Sequence, residues 1–263
     1  MASFVVFCLI SVISINYASA LTADEISFFK SRTHEEGNSG LQGTVSVETF
    51  SETLVLKSNG IPDHDTGLFD GNPNSIDAQT YEFTVKKDPT HATSSSCTPM
   101  GPIGMAVNGV AIFNPYTSEC CDAGMEEFDL LDQCHGHPSP RNAYHYHIAP
   151  ICLGNICANP SQILGVAFDG FPIYGPFDED GNFLTRAELD ECGGMETRNG
   201  EYRYHVTDEF PYIIGCFKGD VIDENVLRRM QGVCTCTEVK EPCTQFGDRK
   251  KRQIQKRAVD SAL

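Results

Sequence analysis

Four of the eight histidines in the sequence lie between residues 135 and 147. Imidazole nitrogen is a preferred ligand of zinc and of copper. Side chains two residues apart project from the same face of a β-strand. The sequence therefore predicts a cluster that holds one divalent zinc or copper ion. Its candidate ligands are two pairs spaced in this way: His135 with His137, and His145 with His147.

The tetrapeptide Tyr-His-Tyr-His at residues 144–147 sets the expected geometry. If residues 143–148 are extended, its histidines share one face, while its tyrosines and Ile148 share the other face and pack on a core. The first histidine pair joins the cluster only if the intervening loop folds back. A half-exposed strand with two solvated histidines is the alternative interpretation, and the sequence leaves both open.

Two further residues are weaker candidates. His64 lies between two aspartates in a polar loop, where it is either an additional ligand or simply exposed. Asp169 precedes Gly170 and is either a general base, an acceptor for an imidazole N–H, or a turn residue. Because ligating imidazoles must be neutral, we expect metal affinity to fall below the ordinary imidazole pKa of about 6.5.

Residues 1–20 resemble a secretory signal peptide. The apolar run from Phe4 to Ile15 is too short to span a bilayer, and the small residues Ala18-Ser19-Ala20 follow it. No other apolar run is long enough to anchor the chain. We therefore expect a secreted, extracellular protein without a membrane span.

The formal net charge is −17, although basic residues crowd the tail at 248–263. An acidic body disfavours binding to nucleic acid and to anionic membranes. We expect instead an extracellular protein, matrix or small-molecule partner. The basic run at 249–252 is either a furin-type processing site or a solvated part of the tail.

Cysteines indicate an oxidising compartment. Removing Cys8 with the signal peptide takes the count from 12 to 11. An odd number leaves one thiol free or available for a disulfide-linked dimer. We expect at least four disulfides in the mature chain.

Local patterns predict several elements. Thr22 can cap a helix that continues to about Arg32. Apolar residues at every second position predict strands. A short helix is predicted beyond Gly219. The predicted strands are Thr44–Phe50, Thr53–Lys57 and Gln79–Val85, and the later helix is Asp223–Met230.

An internal repeat relates residues 101–158 to residues 162–219. Each unit has the pattern strand, turn, strand, short helix, loop, strand, with the helices at 125–133 and after Thr185. The repeat predicts a mainly β fold with a few short helices, in which two duplicated β-rich units form one disulfide-stabilised domain.

The repeat also distinguishes residues with a structural role from candidate metal ligands. The tyrosines of the tetrapeptide recur in the second unit, whereas most of the histidines do not. The positions that correspond to His135, His137, His145 and His147 are Gly193, Met195, Arg203 and His205.

The same equivalence predicts disulfide pairs. Cys134 corresponds to Cys192, and Cys216 follows Cys192 by 24 residues. We therefore expect a Cys192–Cys216 bond and, in the first unit, a bond from Cys134 to either Cys152 or Cys157.

Several motifs together resemble the YHYH domain family, a group of secreted proteins named for the tetrapeptide. They include Asn59-Gly-Ile-Pro-Asp-His64, Asp169-Gly-Phe-Pro-Ile-Tyr-Gly-Pro176 and Phe210-Pro-Tyr212. The resemblance runs from about Val45 to Gly219 and implies a domain boundary and secretion, but no activity. It divides the chain into a signal peptide at 1–20, an N-terminal segment at 21–44, the YHYH-like domain at 45–219, a cysteine-rich cap at 220–247 and the basic tail.

Two functions remain open at this stage. One is a secreted metal-binding domain, which would be a metalloenzyme if the ion takes part in a reaction. The other is a non-catalytic extracellular matrix or recognition module, in which the His/Tyr strand forms part of a binding face.

Overall fold

The structure, a computed structural model, describes residues 21–67, 72–154, 156–231 and 236. The predicted signal peptide, the basic tail and most of the cysteine-rich cap lie outside these residues. Within them, no helix is both long and apolar enough to cross a membrane.

Short β-strands make up most of the regular structure, which confirms the mainly β fold with a few short helices. The strands are β1 Glu35–Glu36, β2 Leu41–Gln42, β3 Val45–Thr49, β4 Thr53–Ser58, β5 Tyr81–Lys86, β6 His91–Cys97, β7 Pro102–Ala106, β8 Ala111–Phe113, β9 Gly136–Pro138, β10 Tyr144–Tyr146, β11 Ile163–Ala167, β12 Pro172–Tyr174, β13 Gly194–Glu196, β14 Tyr202–His205 and β15 Cys216–Gly219. The helices are α1 Ala23–Ile26, α2 Ala123–Glu126 and α3 Glu224–Gln231, with 3₁₀ turns at Phe128–Leu130 and Arg186–Glu188.

Eight of these strands form one sheet in the order β13-β14-β12-β11-β7-β8-β10-β9. Its centre is the antiparallel pair β7 and β11. On one side β8 pairs in parallel with β10, and on the other side β12 pairs in parallel with β14. The two sequence units thus have the same strand order about the central pair. Their origin by duplication stays a prediction.

Two glycines allow the central strands to pack closely. A Cβ atom at Gly104 would lie 2.8 Å from the carbonyl oxygen of Val166, and one at Gly165 would lie 2.6 Å from that of Met105. Both contacts are with backbone, which cannot move aside as a side-chain tip can. The two glycines occupy equivalent positions in the sequence repeat, so the same packing requirement explains both.

The tyrosines of the repeat belong to the core, as their spacing predicts. Tyr144 and Tyr146 are 1% and 0% exposed, and Tyr204 is 0% exposed. The Tyr144 hydroxyl donates to Asp132 at 2.8 Å, and Tyr202 donates to the equivalent Asp190 at 3.0 Å. Each aspartate also accepts backbone N–H groups of the turn that follows it. The phenols therefore anchor these turns from within the core.

Several predicted elements differ from the observed ones. The three predicted strands are present with shifts of one or two residues, but the N-terminal helix ends at Ile26, although Thr22 and Glu25 form the capping box. The helix predicted over 125–133 is a four-residue helix followed by a 3₁₀ turn. Such short helices are marginal alone, so tertiary packing decides where they end.

The disulfides agree with the sequence analysis. Cys192 is bonded to Cys216, and Cys134 is bonded to Cys152. Cys120 is bonded to Cys236, and both Cys97 and Cys121 are also in disulfides, which requires at least four bonds. Among the described cysteines, Cys157 is free and exposed.

Glu36 is a fully buried carboxylate that ties the loop around His64 to the N-terminal segment. It accepts bonds from the backbone and hydroxyl of Thr66 at 3.1 and 2.7 Å, and from the backbone of Asn38 and Ser39. Burial alone would raise the pKa of Glu36, but these hydrogen bonds outweigh it and lower the pKa to about 2.

We expect Glu36→Gln to lower the free energy of unfolding at pH 7 by about 1–3 kcal/mol, because buried donors lose a charged acceptor. The folded pKa lies below the ordinary value of 4.5, so the contribution of Glu36 is complete above pH 4.5 and is lost as the pH falls to about 2. Urea unfolding between pH 2 and pH 7 should therefore show a flatter acid dependence in the variant. Glu48→Gln, at an exposed position of β3, is the control, and equal acid dependence of wild type and Glu36→Gln would contradict the prediction.

Candidate metal centre

Antiparallel pairing of β9 with β10 brings the two histidine pairs together. The register places His137 directly opposite His145, and residues opposite one another project from the same face. His147 follows His145 by two residues and projects from that face as well. Strand pairing thus supplies the fold-back that the cluster requires.

The three side chains meet at their Nε2 atoms. His145 Nε2 lies 3.0 Å from His137 Nε2 and 3.0 Å from His147 Nε2. Glu127 adds a carboxylate oxygen, since its Oε2 atom lies 3.5 Å from the Nε2 atoms of both His137 and His147. The three nitrogens therefore come together, and the Glu127 oxygen lies beside two of them.

Hydrogen bonds to carbonyl groups fix two of the rings. His145 Nδ1 lies 3.0 Å from the carbonyl oxygen of Ala143, and His147 Nδ1 lies 2.6 Å from that of Asn114. A carbonyl oxygen only accepts, so both Nδ1 atoms carry the proton. In the neutral rings the Nε2 atoms are then unprotonated, and their lone pairs point toward each other across 3.0 Å.

Burial keeps these imidazoles neutral. His137, His145 and His147 are 5%, 3% and 6% exposed. Burial, followed by the nearby imidazole of His147, lowers the pKa of His137 to about 3. For His147, burial outweighs the bond to Asn114 and lowers the pKa to about 4. Burial and the two neighbouring imidazoles hold the pKa of His145 well below its ordinary value.

Glu127 is also in an unusual environment. Burial, and to a smaller degree the charge of Glu119, raises the pKa of Glu127 to about 7. Its Oε2 atom is buried and has no hydrogen-bond partner among the described residues, and the same is true of His137 Nδ1. Buried polar atoms without partners are rare in folded proteins.

Helix α2 positions this carboxylate from the opposite side of the site. The Asp122 side chain caps the helix by accepting from Met125 N at 3.1 Å, and it also accepts from the Tyr212 hydroxyl at 2.9 Å. Gly124 packs directly on the Tyr212 ring, where a Cβ atom would lie 2.5 Å away. Tyr212 belongs to the second unit, so both units contribute to the placement of Glu127.

The cluster is accessible from a cavity of about 490 Å³, which is lined in part by all four of these side chains. Phe113 lines it as well and stacks on His145, with 3.9 Å between the ring centroids. Imidazole and carboxylate groups at the base of a cavity can hold a metal ion and still leave access for a further ligand.

His135 and His64 lie outside this cluster. His135 has a left-handed backbone, with φ of 63°, and its Nδ1 atom lies 3.0 Å from the carbonyl oxygen of Ala149. His64 Nε2 lies 2.8 Å from the Tyr146 hydroxyl. The Cys134 and Cys152 sulfur atoms are near His64 but are joined in a disulfide. Of the five candidate ligands, the structure brings together His137, His145 and His147.

Asp169 occupies a turn and is fully buried. It accepts from the Tyr204 hydroxyl at 2.6 Å and from the backbone of Phe171, Lys218 and Gly219. Its four hydrogen bonds therefore go to Tyr204 and to backbone amides, which is the pattern of a structural residue.

The second unit repeats the geometry with other side chains. Met195 lies opposite Arg203 in the register that His137 and His145 have. His205 Nδ1 lies 2.8 Å from the Gly175 carbonyl oxygen, as His147 does from Asn114. Arg203 stacks over the Tyr174 ring at 4.4 Å. The scaffold thus recurs without the imidazole cluster.

Glu127 is the site residue that sequence analysis missed. It follows Glu126 in an acidic segment, and its spacing from the histidines indicates no relation to them. The contact that brings it to the cluster runs through Tyr212, 85 residues later along the chain. No local signal distinguishes it from its acidic neighbours.

Comparison with known proteins identifies the family. The family model described as YHYH protein matches residues 82–181 and 175–219. Searches of the curated proteins and of the solved structures found no match. Since the matched region covers more than half of the chain and contains both units of the eight-stranded sheet, the chain belongs to the YHYH protein family.

Proposed function

We propose that the protein binds one divalent transition metal ion through the Nε2 atoms of His137, His145 and His147, with Glu127 as the fourth ligand. The observation that carries the proposal is the convergence of three buried Nε2 atoms. In His145 and His147, hydrogen bonds from Nδ1 to backbone carbonyl oxygens leave the Nε2 lone pairs directed toward each other. A cation at their centre turns a repulsive arrangement into a favourable one.

Four of the distances within the cluster are close to those between neighbouring ligands of one zinc ion. Zinc–nitrogen bonds of about 2.0–2.1 Å place neighbouring ligand atoms about 3.3 Å apart. The separations in the cluster are 3.0 Å between nitrogens and 3.5 Å from nitrogen to the Glu127 oxygen. A bound cation also gives the buried Glu127 oxygen the partner that it lacks.

Three imidazoles and a carboxylate suit zinc or copper, which we propose as the cofactor. A bound zinc ion supplies Lewis acidity, which polarises a carbonyl or acidifies water. The cavity lets a further ligand reach the ion as a fifth ligand, beside the three histidines and Glu127. This access supports a metalloenzyme more than a closed structural site. The chain's own contribution is to keep the three imidazoles neutral and to gather their Nε2 atoms at the base of the cavity.

The alternative, a non-catalytic recognition module, has less support. It places the His/Tyr strand on a binding face, whereas the side chains of β10 and of His147 are buried. Such a module would have to use another surface of the protein.

We also infer that the protein is secreted and acts outside the cell. Eight described cysteines are in disulfides, which form and persist in oxidising compartments. The acidic net charge supports an extracellular protein, matrix or small-molecule partner over nucleic acid. The exposed thiol of Cys157 makes a disulfide-linked dimer a proposal that non-reducing electrophoresis can test.

The metal site predicts a specific loss of binding. His145→Ala combined with His147→Ala should weaken zinc or copper binding at least about 100-fold, because loss of outer-shell partners alone costs about 10–100-fold. Calorimetric titration of protein purified without a histidine tag measures the effect. His205→Ala removes the equivalent histidine of the second unit and should leave the affinity unchanged. Equal binding by the double variant and wild type, or no site of micromolar affinity in either, would refute the proposal.

The raised pKa of Glu127 leads to a prediction of how metal affinity depends on pH. The imidazoles stay neutral down to about pH 4, so proton competition should come first from Glu127, whose pKa is about 7. Below pH 7 the wild type should lose about tenfold in affinity per pH unit and release about one proton for each ion bound. Glu127→Gln should bind more weakly at pH 8 and show little slope between pH 7 and pH 5. Titrations in buffers of different ionisation enthalpy count the protons, and an unchanged slope in the variant would exclude Glu127 as a ligand.

The metal-free rings should show the expected tautomers. Long-range ¹⁵N–¹H spectra should place the protons of His145 and His147 on Nδ1 and find both rings neutral at pH 5, because burial lowers both pKa values. These folded values lie below the ordinary value of 6.5, so stability is complete above pH 6.5 and decreases as the pH falls below it. Protonation of either ring near pH 6.5 would show that the cluster is open to solvent.

A further inference from the structure

The cavity above the cluster has the size of a small-molecule site. Its volume of about 490 Å³ lies within the range of about 300–1,000 Å³ that such sites have. His137, His145 and Glu127 form part of its lining. A ligand in the cavity therefore contacts whatever ion the cluster holds.

The described residues of the lining include a single carboxylate, that of Glu127. The others are histidine, apolar, amide or hydroxyl side chains, and neither lysine nor arginine is among them. Proteins that bind phosphate or sulfate groups recognise them with arginine, lysine or clustered backbone N–H groups. The net charge of −17 adds a general repulsion of anions.

The lining is also suited to a ligand with an apolar part and a polar part. Phe113, Leu130 and Tyr116 supply apolar surface. Ser118 supplies a hydroxyl group, and the buried Oδ1 atom of Asn114 has no hydrogen-bond partner among the described residues. Such mixed lining is typical of sites for neutral organic molecules.

The corresponding part of the second unit differs in this respect. A cavity of about 350 Å³ there is lined by Arg203 and His205, with Arg198 and the acidic residues 178–180. Two units with the same strand order thus carry one cavity lined by two arginines and one whose described lining has neither arginine nor lysine. This difference between the cavities comes from their side chains and not from the strand order.

We propose that the cavity binds a small organic ligand, which places an apolar group against Leu130 and Phe113 and a metal-binding oxygen at the cluster. The cavity discriminates against phosphate and sulfate esters, because apart from the ion the described lining offers their remaining oxygens no lysine or arginine. This inference rests on the proposed metal function. It defines the substrate class of the site as organic molecules that coordinate the ion through a carbonyl or hydroxyl oxygen and carry no phosphate or sulfate group.

Three probes test the proposal by equilibrium binding to the zinc-loaded protein. Benzohydroxamic acid carries a ring beside a hydroxamate group that chelates zinc, acetohydroxamic acid has the same chelating group without the ring, and phenylphosphonate has the ring with a phosphonate group. Calorimetry should find benzohydroxamic acid at least tenfold tighter than each of the other two. Phenylphosphonate as tight as benzohydroxamic acid, or no difference between the two hydroxamic acids, would overturn the inference.

Variants of the lining separate the cavity from the intrinsic affinity of each probe for zinc. Leu130→Ala should reduce the preference for benzohydroxamic acid over acetohydroxamic acid about threefold or more, while Ile151→Ala, at an exposed residue outside the lining, should not. Ser118→Lys should increase the affinity for phenylphosphonate about threefold to tenfold and leave the affinity for acetohydroxamic acid unchanged. Its control is Ser46→Lys, which adds the same charge outside the lining. Unchanged ratios in both lining variants would refute the role of the cavity.

Zinc content measured before the titrations distinguishes the two failures. A wild-type chain that takes up no zinc refutes the metal function and this inference together. A loaded chain that prefers the phosphonate refutes the assignment of ligand class alone.

Discussion

The geometry of the site depends on two hydrogen bonds that lie behind it. The carbonyl groups of Ala143 and Asn114 each accept a hydrogen bond from the Nδ1–H group of one ring, His145 and His147 respectively. The opposite nitrogen of each ring is then unprotonated and faces the cluster. Ala143 immediately precedes β10 and Asn114 immediately follows β8, so the parallel pairing of these strands fixes both carbonyls. The backbone of the sheet therefore determines the donor set before any ligand is present.

The two units show which part of this arrangement belongs to the fold. In both, a tyrosine hydroxyl bonded to an aspartate holds the turn before the outer strand. The carbonyl bond to the last histidine of the tetrapeptide is present in both units as well. The positions of His137 and His145 carry Met195 and Arg203 in the second unit without any change in strand pairing. The same strand pairing thus occurs with either set of side chains.

Much of the fold and part of the site could be predicted from sequence. The alternation of apolar and polar residues identified β10 and its buried tyrosines. The internal repeat identified the Cys192–Cys216 bond and limited its counterpart to Cys134 with either Cys152 or Cys157. Sequence could not separate His135 from His137, because residues two apart share a face of a strand. His135 leaves the cluster only because it lies before β9 with a left-handed backbone. Glu127 could not be predicted, since Tyr212 and Asp122 place it through contacts between distant segments. Local patterns do not encode such contacts.

The energetics of the two units differ in an informative way. In the second, Arg203 pairs with Glu201 at 3.1 Å and stacks over Tyr174, so its charge is compensated. In the first, the Glu127 oxygen and His137 Nδ1 are buried without a hydrogen-bond partner among the described residues, and two imidazole lone pairs oppose each other. Each such group costs about 1–3 kcal/mol of stability. The equivalent positions of the second unit carry side chains without this cost, so the arrangement in the first unit is not required by the strand pairing that the two units share.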